Sequence, residues 1–205
     1  MQEVELIESI GALAPMLEEQ ALQAERDRKP VDSVMAAIEE TQAYRWFVPK
    51  KYDGFEFSLE GFMEVGMMLG AADVSTAWVV TFCMEHNWLM GLYSAEGQDT
   101  IFRKHPYIIA PGALAPKGTA RPVDGGYIVT GRWQWGTGVM HANHVMVGAL
   151  TDHDGDPELC MYVLPIEDAE VIDTWHMSGM VATGSNDIAV PEKFVPACLR
   201  LNLTD

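Results

Sequence analysis

Apolar side chains recur at three- and four-residue steps from Leu6 through Ile10, Leu13, Leu17, Ala21 and Ala24, with Glu, Gln and Arg between them. That spacing gathers them on one face of a helix. Pro15 falls inside the run; its ring blocks an internal hydrogen bond, so it opens a second helix or kinks the first. Asp32 or Ser33 can cap a short helix from Val34 to about Ala43. A loop over Pro49–Phe57, holding Asp53-Gly54, precedes Ser58, which starts a helix running to Leu69. Asp73 and Ser75 can cap the next, Thr76 to about Tyr93, whose apolar residues lie nearly all round and predict burial on every side. Glu96 to Lys104 gives one more short helix.

The period changes after Pro106. Tyr107–Ala110, Gly126–Thr130, His144–Leu150, Leu159–Leu164 and Ala169–Ile172 are short β-type runs, separated by turn signals at Asp124-Gly125-Gly126, Asp154-Gly155-Asp156-Pro157 and Gly184-Ser185-Asn186-Asp187. Several short strands at this spacing predict a small β-barrel or sandwich. The chain therefore reads as α+β, with an all-helical domain over residues 1–105 and a β domain over 106–205.

Charge narrows the partners. The 205 residues carry 13 basic and 30 acidic side chains, a net charge of −17, and the excess is spread over both halves. A phosphate backbone or an anionic membrane surface calls for a basic face, so neither nucleic acid nor membrane is expected as a partner. The start, MQEVELIESI, carries Glu3, Glu5 and Glu8 where a secretory signal would be basic and then apolar. The longest uncharged run, Trp133–Thr151, holds two histidines and three glycines and is no bilayer span. Three widely spaced cysteines, Cys83, Cys160 and Cys198, form neither a disulfide framework nor a zinc ribbon and fit a cytoplasmic chain.

Chemistry concentrates in Gly125–Gly138. A strand rises from a Gly-Gly turn, ends in Trp133 and Trp135, and leads to Thr137 between two glycines. Strand alternation puts both indoles on one face. The glycines admit a flat ligand close to the backbone, and Thr137 offers a hydroxyl and an N–H to a ring heteroatom. An aromatic cofactor suits this pattern, and so does a tryptophan-rich strand packing a core. Thirteen methionines agree with an adaptable interior around a flat ligand. His141-x-x-His144 has ligand spacing without a third ligand, and Asp152–Pro157 lacks the closing Glu of a calcium loop, so no metal is expected.

The order GGYxVxGxWxWxTG resembles the middle domain of the acyl-CoA dehydrogenase superfamily. Phe47–Gly54 is similar to that superfamily's P-x-x-Y-G-G loop. Ala71–Val79 resembles the D-x-S-x-x-W-V helix start of its flavin-dependent monooxygenase branch. Gly179–Asp187 followed by Phe194-Val-Pro resembles the branch's G-M-x-x-T-G-S-N-D … V-P segment. Nearly the whole chain is covered, in order.

The resemblance implies a flavin, FAD or FMN used in reduced form. Thr137 would contact its N5 edge as the catalytic hydroxyl, and Trp135 would pack on the ring. Leu114, Ala115 and Thr119 would line the other side, in a segment that departs from the dehydrogenases' T-E-P-x-x-G-S-D. Lys117 is either part of an ordinary surface loop or a contact for a flavin phosphate. The acidic composition and the Thr183–Asn186 sequence point to the monooxygenase branch rather than to an acyl-CoA dehydrogenase. That branch takes reduced flavin from a separate reductase and hydroxylates a small aromatic substrate with O2, behind an apolar wall that excludes water. Trp78, His86, Thr183, Ser185 and Asn186 are the candidates for the substrate side, with Trp78 equally a core residue and His86 a satisfied helix histidine. The superfamily normally continues into a four-helix bundle that carries the catalytic base. The expected assembly is therefore a homo-oligomer, or a hetero-oligomer with a helical-bundle chain; a catalytically incomplete flavin-binding or scaffold subunit is the remaining alternative.

Overall fold

Short polar side chains at the predicted positions start the two helices that matter most for the site. In the structure, a computed structural model describing residues 1–153 and 156–204, Ser58 accepts a hydrogen bond from the Gly61 N–H and opens α4 (Leu59–Ala72). Asp73 does the same for the Thr76 N–H at the start of α5 (Val74–Met90). Before them come α1 (Glu3–Gly11), α2 (Ala14–Asp27, with Pro15 in its first turn) and α3 (Asp32–Glu40); α6 (Ala95–Phe102) follows. The periodic residues Leu6, Ile10, Leu17, Ala24 and Ile38 are buried. Among the described residues no helix is long and apolar enough to cross a membrane.

The remaining residues form one seven-stranded sheet: β1 (Gly112–Val123), β2 (Gly126–Trp133), β3 (His144–His153), β4 (Asp156–Pro165), β5 (Glu170–Ile172), β6 (Asp187–Pro196) and β7 (Arg200–Asn202). Its order is β5-β6-β2-β1-β3-β4-β7, antiparallel except where β1 runs parallel to β3. The sheet coils on itself. The Trp133 indole on β2 reaches across β1 to donate to the Gly148 carbonyl on β3 at 2.7 Å. Tyr127 on β2 meets Tyr162 on β4 edge to face, centroids 5.4 Å apart. Gly118 makes room for this, because a Cβ there would lie 2.2 Å from a Trp133 ring carbon. Between Ala113 and Gly118 the pairing of β1 with β3 shifts register, so Leu114–Lys117 bulge out of the ladder.

Four expectations need correction. Tyr107–Ala110 is no strand: side chains take most of its backbone groups, with Asn87 pairing both the N–H and the carbonyl of Ile108, Asn143 accepting from the Ile109 N–H, and His86 donating to the Ala110 carbonyl, while the Ile109 carbonyl accepts from the Asn143 and His144 N–H groups. The surface-loop alternative for Lys117 does not hold, because Lys117 lies within strand β1. Helix α5 is not buried all round, since Trp78 and Trp88 are 50% and 56% exposed. Trp133 and Trp135 do not share a face: β2 stops at Trp133, which is fully buried, and Trp135 takes a left-handed φ of 67° that turns its ring outward. The Asp154-Gly155 turn and most of the Asp152–Pro157 calcium-like segment lie outside the residues whose side chains are described.

Candidate flavin-facing site

The β1 bulge and the turn after β2 face each other across a slot. Leu114 and Ala115 line one side, Gln134 and Trp135 the other, with Gly112 and Trp133 between; its volume is about 210 Å³. Trp135 is 66% and Leu114 55% exposed, so two large apolar surfaces stand open to a flat ligand. Lys117 is held over the slot by Gln134 at 2.5 Å. Thr119, also exposed, does not line it.

An adjoining depression of about 280 Å³ shares Gly112 and Leu114 with the slot and adds Phe82, Glu85, His86 and Leu89. His86 is fixed here. Its Nδ1 lies 2.6 Å from the Ala110 carbonyl, which can only accept, so Nδ1 carries the proton and Nε2 is the bare nitrogen. Burial pulls its pKa below the ordinary histidine value, and the bond to Ala110 only partly opposes this. Gly112 leaves space for the ring, because a Cβ there would fall 2.6 Å from Nε2. Beyond Phe82 and Glu85 a third depression, about 350 Å³, lies between α4 and α5 and holds Trp78, stacked on Phe82 at 5.7 Å. Slot, histidine and Trp78 thus follow one another along shared walls.

Thr137, Thr183, Ser185 and Asn186 form a separate, buried assembly where the turn after β2 meets the loop before β6. The Gly136 N–H donates to the Asn186 carbonyl at 2.9 Å, joining the two segments. Ser185 Oγ stands 2.9 Å from Thr137 Oγ1 and 2.8 Å from Thr183 Oγ1. Asn186 is occupied as a brace: its Oδ1 accepts from the Thr174 and Trp175 N–H groups at 3.0 Å each, and its Nδ2 points at the Met140 sulfur. The site residues expected from sequence therefore fall into two neighbourhoods, the open trough and this closed network.

Glu85 is the residue that sequence reasoning passed over. It lines the second and third depressions, and desolvation raises its pKa above the usual carboxylate value. The signal was present, because Glu85 is the lone charged residue in the α5 sequence VSTAWVVTFCMEHNWLM. His141 and His144 diverge: His141 Nε2 meets Asp32 at 3.0 Å, while His144 meets Asn143 at 2.9 Å and packs edge-on against His105.

No family model matches the chain. It is, however, similar to individual proteins over nearly its full length. It is 33% identical over 193 residues to a pigment production hydroxylase of Rhodococcus sp. (strain ATCC 21145), covering 94% of this chain and 50% of that protein. To the oxygenase component of p-hydroxyphenylacetate 3-hydroxylase from Acinetobacter baumannii it is 31% identical over 194 residues, 94% and 46% of the two chains. The solved structure of XiaF from Streptomyces sp., in complex with FADH2 and glycerol, superposes with a TM-score of 0.91 at 31% identity, over 98% of this chain and 51% of XiaF. The chain spans about half the length of the curated relatives it matches.

The fold is thus the acyl-CoA dehydrogenase-like one, helices first and a β domain after, as the motifs implied. The chain's relatives are oxygenase subunits and hydroxylases of the flavin-dependent monooxygenases, and the chain is similar to about half the length of each.

Proposed function

We propose that this chain forms the flavin-facing part of the oxygenase component of a two-component monooxygenase. Its substrate would be a small aromatic, phenolic or polycyclic molecule, and a separate flavin reductase its partner. The observation that carries the reading is the slot between Leu114 and Trp135, two exposed apolar surfaces on either side of a narrow gap, with Thr137 two residues beyond the indole. The lining suits a flavin: a flat apolar wall, a cation, Lys117, for the polar end, and the Thr137 hydroxyl two residues along the chain from the indole in the adjoining network. FADH2 in XiaF and a phenol in the name of the Acinetobacter relative agree with it.

A bound reduced flavin would supply the electrons that activate O2. The chain's own residues would hold and orient that group. Trp135 and Leu114 would sandwich the ring, Ala115 would flank the β1 side with Thr119 further along β1 outside the slot, and Thr137 would meet the N5 edge. On the substrate side, His86 presents the bare Nε2 to an apolar depression, where it can accept a proton from a phenolic hydroxyl. Trp78 and Phe82 would extend that wall. Thr183, Ser185 and Asn186 would shape the turn that carries Thr137. The same reading divides the chain near residue 105 into helical and β domains, and it includes assembly as a homo-oligomer or with a helical-bundle chain.

Flavin titration tests the site. Trp135→Ala and Thr137→Ala are each expected to weaken reduced-flavin binding several-fold, about 1 kcal/mol per lost contact. Unchanged affinity and absorbance in both variants would sink the assignment. Conversion of a phenol to a catechol, dependent on reductase and O2, is the corresponding assay of the reaction; turnover of an acyl-CoA instead would overturn it.

A further inference from the structure

We infer that Ser185 and Thr183 fix the direction of the Thr137 hydroxyl proton and thereby make the site selective for the reduced form of a flavin. The inference rests on the flavin reading above, and its observations lie in the closed network rather than in the slot.

Each of the three hydroxyls has one proton to place. Thr183 Oγ1 lies 2.9 Å from the Met180 carbonyl oxygen, which has none. A proton must lie on that contact, or two sets of lone pairs would face each other in a buried place. The carbonyl is held where it is: it also receives the Thr183 N–H at 3.0 Å and the Trp175 indole N–H at 3.1 Å, and Met180 and Gly184 take left-handed φ values of 53° and 55° around it. Thr183 therefore donates to Met180 and must accept from Ser185 at 2.8 Å. Ser185, its proton spent, must accept from Thr137 at 2.9 Å. The chain of donation runs Thr137 to Ser185 to Thr183 to Met180. With Thr183 and Ser185 only 2% and 3% exposed, solvent cannot supply a partner that reverses it.

Thr137 itself is 7% exposed and has a single consequence to offer outward. Its proton points inward, so any ligand it meets finds lone pairs. The N5 of an oxidised flavin is a bare ring nitrogen, and two acceptors in contact repel. The N5 of a reduced flavin carries a hydrogen, which this oxygen accepts. Ser185 and Thr183 are positioning residues in this scheme: neither needs to touch the flavin, yet both decide which form Thr137 prefers.

The experiment compares the dissociation constants of oxidised and dithionite-reduced FMN and FAD, measured anaerobically by equilibrium dialysis on the full chain. The intact chain is expected to favour the reduced form. Ser185→Ala and Thr183→Val each free the Thr137 proton to turn outward, and each is expected to lower the reduced-to-oxidised affinity ratio about tenfold, while Ser185→Thr restores it. Because both forms are measured on one variant, a general loss of folded protein cancels from the ratio. Equal weakening of both forms in Ser185→Ala and Thr183→Val would overturn the relay. No binding of either form to the intact chain, or unaltered binding in Thr137→Ala, would overturn the flavin reading itself.

Discussion

Two histidines show how much a single residue's surroundings decide. His86 and His144 are both buried, and both are less basic than a free imidazole, but for different neighbours. His144 is pulled down to about 4, first by burial and then by the charge of His105, with Glu167 opposing. Between pH 6.5 and about 4 the unfolded chain takes up a proton at this position that the folded chain refuses. Folding stability is therefore complete above pH 6.5, falls as pH drops towards 4 and levels off below. Over that window the loss attributable to His144 is about 3 kcal/mol, at 1.36 kcal/mol per pKa unit. The check is chemical denaturation of the intact chain and His144→Gln from pH 7 to 4. The variant should lose less stability over the range, and parallel curves would refute the assignment. Residues of this kind are poorly legible in sequence. His141-x-x-His144 announces a pair, whereas the partner that matters, His105, lies far along the chain and arrives only by folding.

At the scale of elements, the caps Ser58 and Asp73 were legible; the cap expected at Asp32 or Ser33 was not borne out, since α3 begins at Asp32 after Val31 with no side-chain cap, and strand limits were not legible. Asp73 ends α4, its N–H bonding the Leu69 carbonyl, and starts α5, its Oδ2 accepting from the Thr76 N–H at 2.8 Å. One residue thus sets the angle between the two helices that wall the third depression. Asp73→Ala should cost about 1 kcal/mol, seen as a lower urea midpoint at unchanged slope. A change below a few tenths would mean that the helix end is held by packing alone. Strand β1 escaped detection because its middle, Ala-Pro-Lys-Gly-Thr, lacks alternation. The bulge removes part of it from the ladder, and the pairing with β2 and β3 supplies what the local sequence does not. Tyr107–Ala110 failed in the opposite sense: it has strand composition, but Asn87, His86 and Asn143 capture its backbone before a neighbouring strand can.

The whole molecule presents an apolar surface that its composition does not announce. Leu59, Met63 and Met67 on or beside α4, and Trp78 and Trp88 on α5, are each at least half exposed. They border the depressions that also contain Phe62 and Glu85. The folded chain is accordingly expected to bind a hydrophobic-surface dye. Met67→Glu and Trp88→Glu together should reduce that fluorescence while shifting stability by no more than about 0.5 kcal/mol each. A large loss of stability would instead show these side chains to be packed.

The motif Gly125–Gly138 was enough, with three others in order, to identify the fold and to point to the flavin-dependent relatives, because glycines at turns and periodic apolar faces are local requirements that sequence must satisfy in place. Trp133 and Trp135 mark where that reach ends. Sequence set them two residues apart and predicted a shared face. A single positive φ at Trp135, together with room over Gly118 for the Trp133 ring, sent one indole into the core and left the other open to the slot. Likewise Thr137 was visible from the start, but the direction of its proton depends on Ser185, Thr183 and the Met180 carbonyl. Those groups come from more than forty residues away. Sequence offered most of the groups the candidate site contains; the tertiary structure added Glu85 and decided which way the groups face, since orientation is fixed by contacts between segments that the chain keeps far apart.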